Sequence, residues 1–289
     1  MQLLAYLLAY PLLWFLSILP FRVLYFISDI VYIIIYKIIG YRKKTVRENL
    51  SIALKHLTAS ERLEIEKKFY HHFCDTFLEM IKTMSISENE IEKRFTFTNL
   101  DLYRQMEQQG KSIALMCGHY GSYEWLISMN RHISFRGYAV YKKIANPYFD
   151  KLVRKIRLRF KAFLIHTKIT IDTVHNNKLE NILSVYGLAS DQSPKASSAH
   201  HFGEFFGVKV PFHTGAEMLA KRMNLNVIFV AVRKIKRGYY QATFHKIVDD
   251  PQSVPNFQIS DKFMQMIEKQ ILEKPEHYLW THKRFKYRR

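Results

Sequence analysis

Apolar residues crowd the first forty positions of the chain. Residues 1–21 contain no Asp, Glu, Lys or Arg; the run Leu3 to Leu19 is interrupted only by Pro11, and the run Val23 to Ile39 carries only Asp29 and Lys37. As helix, each run would reach about 25 Å, a little short of a hydrocarbon core of about 30 Å. The pattern predicts a membrane-anchor segment over residues 1–40, built as one tilted span, a tight hairpin or a helix lying in the interface. No basic stretch precedes it, which argues against a secretory signal. Trp14, Tyr25, Tyr32 and Tyr36 suit a membrane–water boundary, and the basic residues Arg42, Lys43, Lys44 and Arg47 favour a cytoplasmic position for everything downstream. The alternative is a buried pair of core helices.

From residue 41 to 289 the pattern changes to that of an α/β domain. Thr58-Ala59-Ser60-Glu61 has the spacing of a capping box and opens a helix predicted to run to about Lys82. Short apolar runs then alternate with amphipathic ones. Strands are predicted at Ile113–Cys117, Tyr138–Tyr141, Val185–Ala189, Val227–Val232 and Tyr239–Ile247. Helices are predicted at Gly121–Asn130, Pro147–Arg159, Leu179–Leu183, Gly215–Met223 and about Asp261–Glu273. This alternation implies a mixed, mostly parallel sheet flanked by helices, with chemistry gathered beyond the carboxyl ends of strands.

Composition narrows the function classes. With 289 residues, 48% of them hydrophobic and 24% charged, the chain can bury a sizeable core. Two cysteines exclude a disulfide scaffold and fall short of a structural zinc set. The net charge of +19 calls for a polyanionic partner: nucleic acid, an anionic membrane surface, or an acidic protein or substrate. No RRM, zinc-finger or helix-turn-helix signature accompanies the charge, so nucleic acid is not expected as a partner. P-loop, G-x-G-x-x-G and G-x-S-x-G motifs are absent from the sequence, so nucleotide chemistry and a serine elbow lack support.

One stretch carries the chemistry. Cys117-Gly118-His119-Tyr120-Gly121-Ser122-Tyr123-Glu124 follows a predicted strand and precedes a predicted helix. The glycines permit a tight turn with His119 at the strand end. Glu124, in the first turn of the next helix, is placed to fold back on one imidazole nitrogen and leave the other free to take a proton from a hydroxyl. Taken alone, an H-x4-E spacing is more often a core histidine and a surface glutamate. Cys117 reads as core rather than nucleophile. His213 and Glu217 lie four apart without a third ligand in sight, so no metal is expected.

The stretch does not stand alone. Arg42 to Asn49 (RKKTVREN), Tyr141-Lys142 with Asn146-Pro147, Arg157-Leu158-Arg159, Asp191-Gln192, Phe205-Phe206-Gly207, Thr214-Gly215, Leu219-Ala220 and Pro275 to Arg284 (PEHYLWTHKR) followed by Phe285-Lys286 occur in one order along nearly the whole chain. This set resembles the bacterial lipid A biosynthesis acyltransferases of the lauroyl/myristoyl type, within the broader H-x4-D/E (lysophospholipid) acyltransferase superfamily. Lys142 stands where that family usually has Arg, keeping the charge and losing the bidentate fork.

The resemblance implies a membrane-bound O-acyltransferase of the cell inner membrane, with its catalytic domain on the cytoplasmic face and no cofactor. It would move a fatty acyl chain from acyl carrier protein, or from coenzyme A, to a hydroxyl of a phosphorylated glucosamine lipid. His119 would be the general base and Glu124 its orienting partner. Lys142 and Arg157 or Arg159 are candidates for the oxyanion or for substrate phosphates. Asp191 would support the His119 loop or cap the next turn; Thr214 belongs to the same block; Phe205 and Phe206 are expected to shape an acyl groove. Two alternatives stand beside this reading: the same chemistry on another amphiphile, such as an aminoacyl lipid, a glycosylated phospholipid or a lysophospholipid, and a basic membrane-surface protein without catalysis.

Overall fold

A computed structural model describes residues 1–289. Its frame is a seven-stranded sheet in the order β1-β9-β8-β2-β5-β3-β4, formed by β1 (Phe95–Thr98), β2 (Ile113–Cys117), β3 (Arg136–Tyr141), β4 (Phe163–His166), β5 (Ser184–Ala189), β8 (Asn226–Lys236) and β9 (Tyr239–Val248). β6 (Phe202–Phe205) and β7 (Val208–Pro211) make a separate hairpin. β8, β2, β5, β3 and β4 run parallel, and β9 pairs antiparallel with β8 while β1 follows β9 in parallel. The expected mostly parallel α/β sheet is therefore present.

Parallel strands have both faces covered, and side chains two apart share a face. Along β2, Ala114 and Met116 join one apolar cluster, while Ile113, Leu115 and Cys117 join the other. The first face is covered by α3 (Lys43–Ala53), α9 (Gly215–Met223), α10 (Gln258–Glu273) and the C-terminal tail. The second is covered by α2 (Phe21–Tyr32), α6 (Leu100–Gln108) and the segment after Ser122; α4 (Ala59–Lys82) reaches both. Three further helices, α5 (Glu88–Arg94), α7 (Pro147–Arg159) and α8 (Thr170–Leu179), complete the connections.

α4 begins as its capping box predicts: Thr58 Oγ1 accepts from the Glu61 amide at 3.2 Å, and the Thr58 amide donates to Glu61 Oε2 at 2.7 Å. Elsewhere the expectations need correction. The helix expected over Gly121–Asn130 is a 3-10 helix, Tyr123–Arg131, because Ser128 Oγ and Asn130 Nδ2 bond back to the carbonyls of Trp125 (2.8 Å) and Ile127 (2.9 Å), three residues earlier, competing with the amides a regular α-turn would use. Leu179, expected to open a helix, ends α8, where Asn181 turns left-handed (φ 54°) and the Ile182 amide reaches back to the Asn177 carbonyl.

The N-terminal segment also departs from expectation. α1 (Gln2–Ile18) stops before Pro20, α2 follows, and its continuation Ile33–Ile39 is a π-helix ended by Gly40 at φ 67°. A bend of 92° then separates Phe21–Ile39 from α3. No single helix is long and apolar enough to cross a membrane, so of the three forms expected the one built as a single straight spanning helix is not found.

Candidate active site

β2 and β5 are neighbours in parallel register, with Cys117 opposite Ala189. Two residues beyond each strand end lie His119 and Asp191, which the same register brings face to face across the carboxyl edge of the sheet. His119 Nδ1 and Asp191 Oδ1 are 2.6 Å apart. Asp191 is buried, and the His119 side chain keeps 18% of its surface exposed. Burial opposes charge on both groups, but their mutual attraction and hydrogen bond prevail. The His119 pKa is raised, with the Glu124 charge adding to the effect, and that of Asp191 is held below the usual carboxylate range. With Nδ1 engaged, Nε2 is the nitrogen left for chemistry.

The loop that carries His119 is fixed from two sides. Gly118 lies against Ile267, whose Cδ1 would be 2.5 Å from an added Cβ, and Gly121 adopts φ 58°. The C-terminal tail closes the other side: the Leu279 amide donates to the His119 carbonyl at 3.1 Å and the Gly121 amide to the His277 carbonyl at 2.9 Å. The tail is anchored in turn by Asn49 of α3, whose Nδ2 donates to the Trp280 and His282 carbonyls at 2.7 Å. Arg284, fully buried, donates to Ser193 Oγ (2.9 Å) and to the Pro211 carbonyl (3.1 Å), tying the tail to the loop after Asp191.

A cavity of about 430 Å³ opens at this edge of the sheet, lined mainly by apolar side chains of β2, β3, β5 and the 3-10 helix. His119, Tyr123, Glu124, Lys142, Arg157 and Gln192 supply polar atoms to its wall. The Tyr123 ring meets the His119 imidazole edge-on at 4.9 Å. His119, Tyr123 and Glu124 also line a smaller cavity of about 100 Å³ toward α4. An imidazole between two pockets can pass a proton between groups brought from either side.

Several sequence expectations change at this point. The carboxylate hydrogen-bonded to His119 is that of Asp191, not Glu124. Glu124 is instead paired with the guanidinium of Arg157, which arrives from the last turn of α7, and both line the main cavity. A spacing of five residues cannot reveal this, because the pairing depends on α7 bringing Arg157 to the cavity. Lys142 lies exposed at the cavity, whereas Arg159 is turned away and donates to the carbonyls of Thr83 (2.8 Å), Met84 and Ile86 (2.9 Å), closing the turn after α4. Thr214 is buried at the start of α9 and does not line either cavity.

Phe205 and Phe206, expected to shape an acyl groove, line neither cavity. They are buried side by side at the β6–β7 turn, where Phe206 (φ 54°) and Gly207 (φ 69°) reverse the chain and Phe205 packs on Phe285 of the tail. The apolar lining of the main cavity comes from residues the motif reading did not single out, among them Leu126, Tyr138, Val140 and Leu188. Their only sequence signal is their place on strands beside the His119 loop. Cys117 is buried and its thiol is pushed up to about 12 by that burial, so it cannot serve as a thiolate. Glu217 is a structural residue: its carboxylate accepts from the amides of Phe257 (2.6 Å) and Ser260 (2.9 Å) at the start of α10.

Comparison with known proteins gives one answer along the whole chain. Residues 2–287 match the family described as bacterial lipid A biosynthesis acyltransferase. The chain is 22% identical over 289 residues to the lipid A biosynthesis palmitoleoyltransferase of Escherichia coli K12, covering 96% of this chain and 89% of that protein. It is 24% identical over 282 residues to the lipid A biosynthesis lauroyltransferase of the same organism, with the same coverage. A lipid A biosynthesis acyltransferase of Shigella flexneri matches at 22%. The chain is thus an acyltransferase and belongs to the bacterial lipid A biosynthesis acyltransferase family.

Proposed function

We propose that this enzyme works at the cytoplasmic face of the inner membrane, transferring a fatty acyl chain from the thioester of acyl carrier protein to a hydroxyl of a phosphorylated lipid A precursor. His119 is the general base, Asp191 its positioning partner, and Glu124 with Arg157 a charged pair at the reaction centre. The observation that carries the mechanism is the His119–Asp191 pair at the mouth of an apolar cavity. Asp191 keeps the proton on Nδ1, so Nε2 accepts the proton of the acceptor hydroxyl as its oxygen attacks the thioester carbonyl. The C=O bond opens to an oxyanion, for which Lys142 and Arg157 are the nearby cations. Collapse re-forms the carbonyl, breaks the C–S bond and expels the carrier thiolate, which takes the proton from the imidazolium.

No nucleophile of the enzyme is required, which agrees with a buried, un-ionised Cys117. The acyl chain occupies the 430 Å³ cavity, and the net charge of +19 favours an acidic carrier and a phosphorylated acceptor.

The deciding experiment is mass spectrometry of lipid A from cells lacking the gene, complemented with wild type or with His119→Ala. Loss of one acyl chain that wild type restores and His119→Ala does not is the expected result. Unchanged lipid A in the deletion strain, with another acylated amphiphile missing, would transfer the reaction to that acceptor.

A further inference from the structure

We infer that residues 1–39 enter one leaflet only, so that α1, α2 and the π-helix lie flat along the membrane and the N-terminus stays on the same side as the catalytic domain. This rests on the membrane location proposed above. α1, about 25 Å long, is fastened to the domain at both ends. At its start, Asn146 Nδ2 of the α7 cap donates to the Gln2 carbonyl at 3.0 Å, and Tyr6 stacks on Tyr148 at 5.7 Å. Beyond its last turn, Lys82 Nζ of α4 donates to the carbonyls of Ser17 (2.7 Å) and Leu19 (2.6 Å). A helix touching the domain at both ends cannot stand along the bilayer normal while the domain remains in water.

α2 is held more firmly. Ser28 Oγ donates to Asp75 (2.8 Å), Tyr25 OH to Glu79 (2.8 Å), and Tyr36 OH of the π-helix to Glu66 (3.0 Å). Arg237 bridges Asp29 (2.6 Å) and Asp75 (2.7 Å) and also donates to the Tyr25 carbonyl (3.2 Å). Gly238 is required beside this joint, since an added Cβ would fall 2.0 Å from the Tyr25 hydroxyl. Lifting α2 away to span a membrane would take Ser28 from the buried Asp75 and Tyr25 from the buried Glu79, a cost that lipid cannot return.

The opposite side of the same helices is bare. Leu4, Leu8, Leu12, Phe15, Phe26 and Ile38 are each more than half exposed, far more apolar surface in one place than a water-facing wall carries. The charges beside this face identify its occupant. Among residues 1–47 the basic groups are Arg22, Lys37, Arg42, Lys43, Lys44 and Arg47, the last paired with Glu66; the one acid, Asp29, is bound by Arg237. An apolar face on a net-basic segment fits an acyl layer beneath anionic headgroups. A second copy of the chain would set the same excess of positive charge against itself.

The test is two-sided labelling of the full-length enzyme in cells. One cysteine is placed in a short hydrophilic tag ahead of Met1 and another at the exposed Glu180 on the domain (Glu180→Cys); the native Cys74 and Cys117 are buried and silent. Membrane-impermeant maleimide is applied to right-side-out spheroplasts and to inverted vesicles. Both sites reacting in inverted vesicles, and at least tenfold less in spheroplasts, is the expected result. A tag that reacts in spheroplasts while Glu180→Cys reacts in inverted vesicles would establish a span and overturn the inference alone. Protein recovered in the soluble fraction under physiological salt would overturn the membrane location and the inference together.

Discussion

Asp191→Asn is the substitution that weighs the site most directly. It keeps the shape of the side chain and removes the charge that faces His119 Nδ1 across 2.6 Å. A hydrogen bond to a charged partner contributes about 1.5–3 kcal/mol, equivalent to a loss of roughly ten- to two-hundred-fold in rate if it is fully expressed in the transition state. An amide offering its N–H₂ to Nδ1 would also select the wrong tautomer, and the corresponding change in a serine-protease triad costs about ten-thousand-fold, which bounds the effect from above. The pH dependence supplies the second readout. In the native protein the His119 pKa is raised although burial opposes it, because Asp191 and then Glu124 favour the imidazolium. The neutral base is therefore lost as pH falls through a value above the ordinary imidazole range. With the Asp191 charge gone, burial prevails and the acid limb of kcat/KM moves to lower pH. The assay is acyl transfer from acyl carrier protein to a lipid A precursor in detergent, across a range of pH. Retention of kcat within about threefold together with an unmoved acid limb would refute the assignment of Asp191 and return the orienting role to Glu124.

Two further expectations concern the cavity and the α4 joint. Gly137 and Asn130 both line the main cavity, and a Cβ on Gly137 would come 1.5 Å from Asn130 Oδ1, so Gly137→Ala must push the Asn130 amide into the space. Products with shorter acyl chains are expected by mass spectrometry; an unchanged chain-length profile from a folded variant would remove this wall from the acyl pocket. Glu79 is completely buried, and burial, then the Asp75 charge, push its pKa up to about 7. A carboxyl raised in the folded state contributes its stability below the unfolded pKa and loses it as pH rises through 7. Glu79→Gln is therefore expected to raise Tm at pH 8, with a ceiling of about 3 kcal/mol from the shift, and not at pH 5; a Tm difference equal at both pH values would contradict this.

What the sequence made legible followed from local rules. β2 declared itself as a continuous apolar run, the capping box opened α4 on the expected residue, and the glycines around His119 marked a strand end. What it hid depended on distant packing. His119 and Asp191 are 72 residues apart, and only the parallel register of β2 with β5 makes them neighbours; spacing alone points to Glu124, while the family resemblance already offers Asp191 as a support for the His119 loop, and the structure pairs the two. Arg157 and Arg159 are two residues apart on α7 and identical in type, yet one faces the cavity and the other closes the turn after α4. Phe205 and Phe206 are ambiguous for a related reason: an aromatic pair before glycine suits a ligand wall and a buried hairpin equally. The short edge strands β1 and β4 escaped because four residues carry too little periodicity to register.

The N-terminal segment was the hardest to read, since a long apolar run looks the same whether it leaves the domain or lines it. The packing shows that it does the latter, and this ties the segment to the chemistry. Phe21 of α2 meets Trp125 edge-on at 6.2 Å, and the Trp125 indole donates to the Glu79 carbonyl at 3.2 Å. Trp125 directly follows Glu124 in the 3-10 helix, so the position of that carboxylate depends on a ring that α2 helps to seat. Phe21, Leu24, Tyr32 and Tyr36 are buried in the two clusters that cover the sheet. At about 1.5–3 kcal/mol for each large apolar side chain, their burial is comparable with the whole net stability of a domain, about 5–15 kcal/mol. Residues 21–36 are thus a wall of the fold, and the exposed α1 beside them faces acyl chains in the proposed orientation. The same helices that would hold the enzyme at the membrane help to set the Glu124 carboxylate in the cavity that His119 also lines.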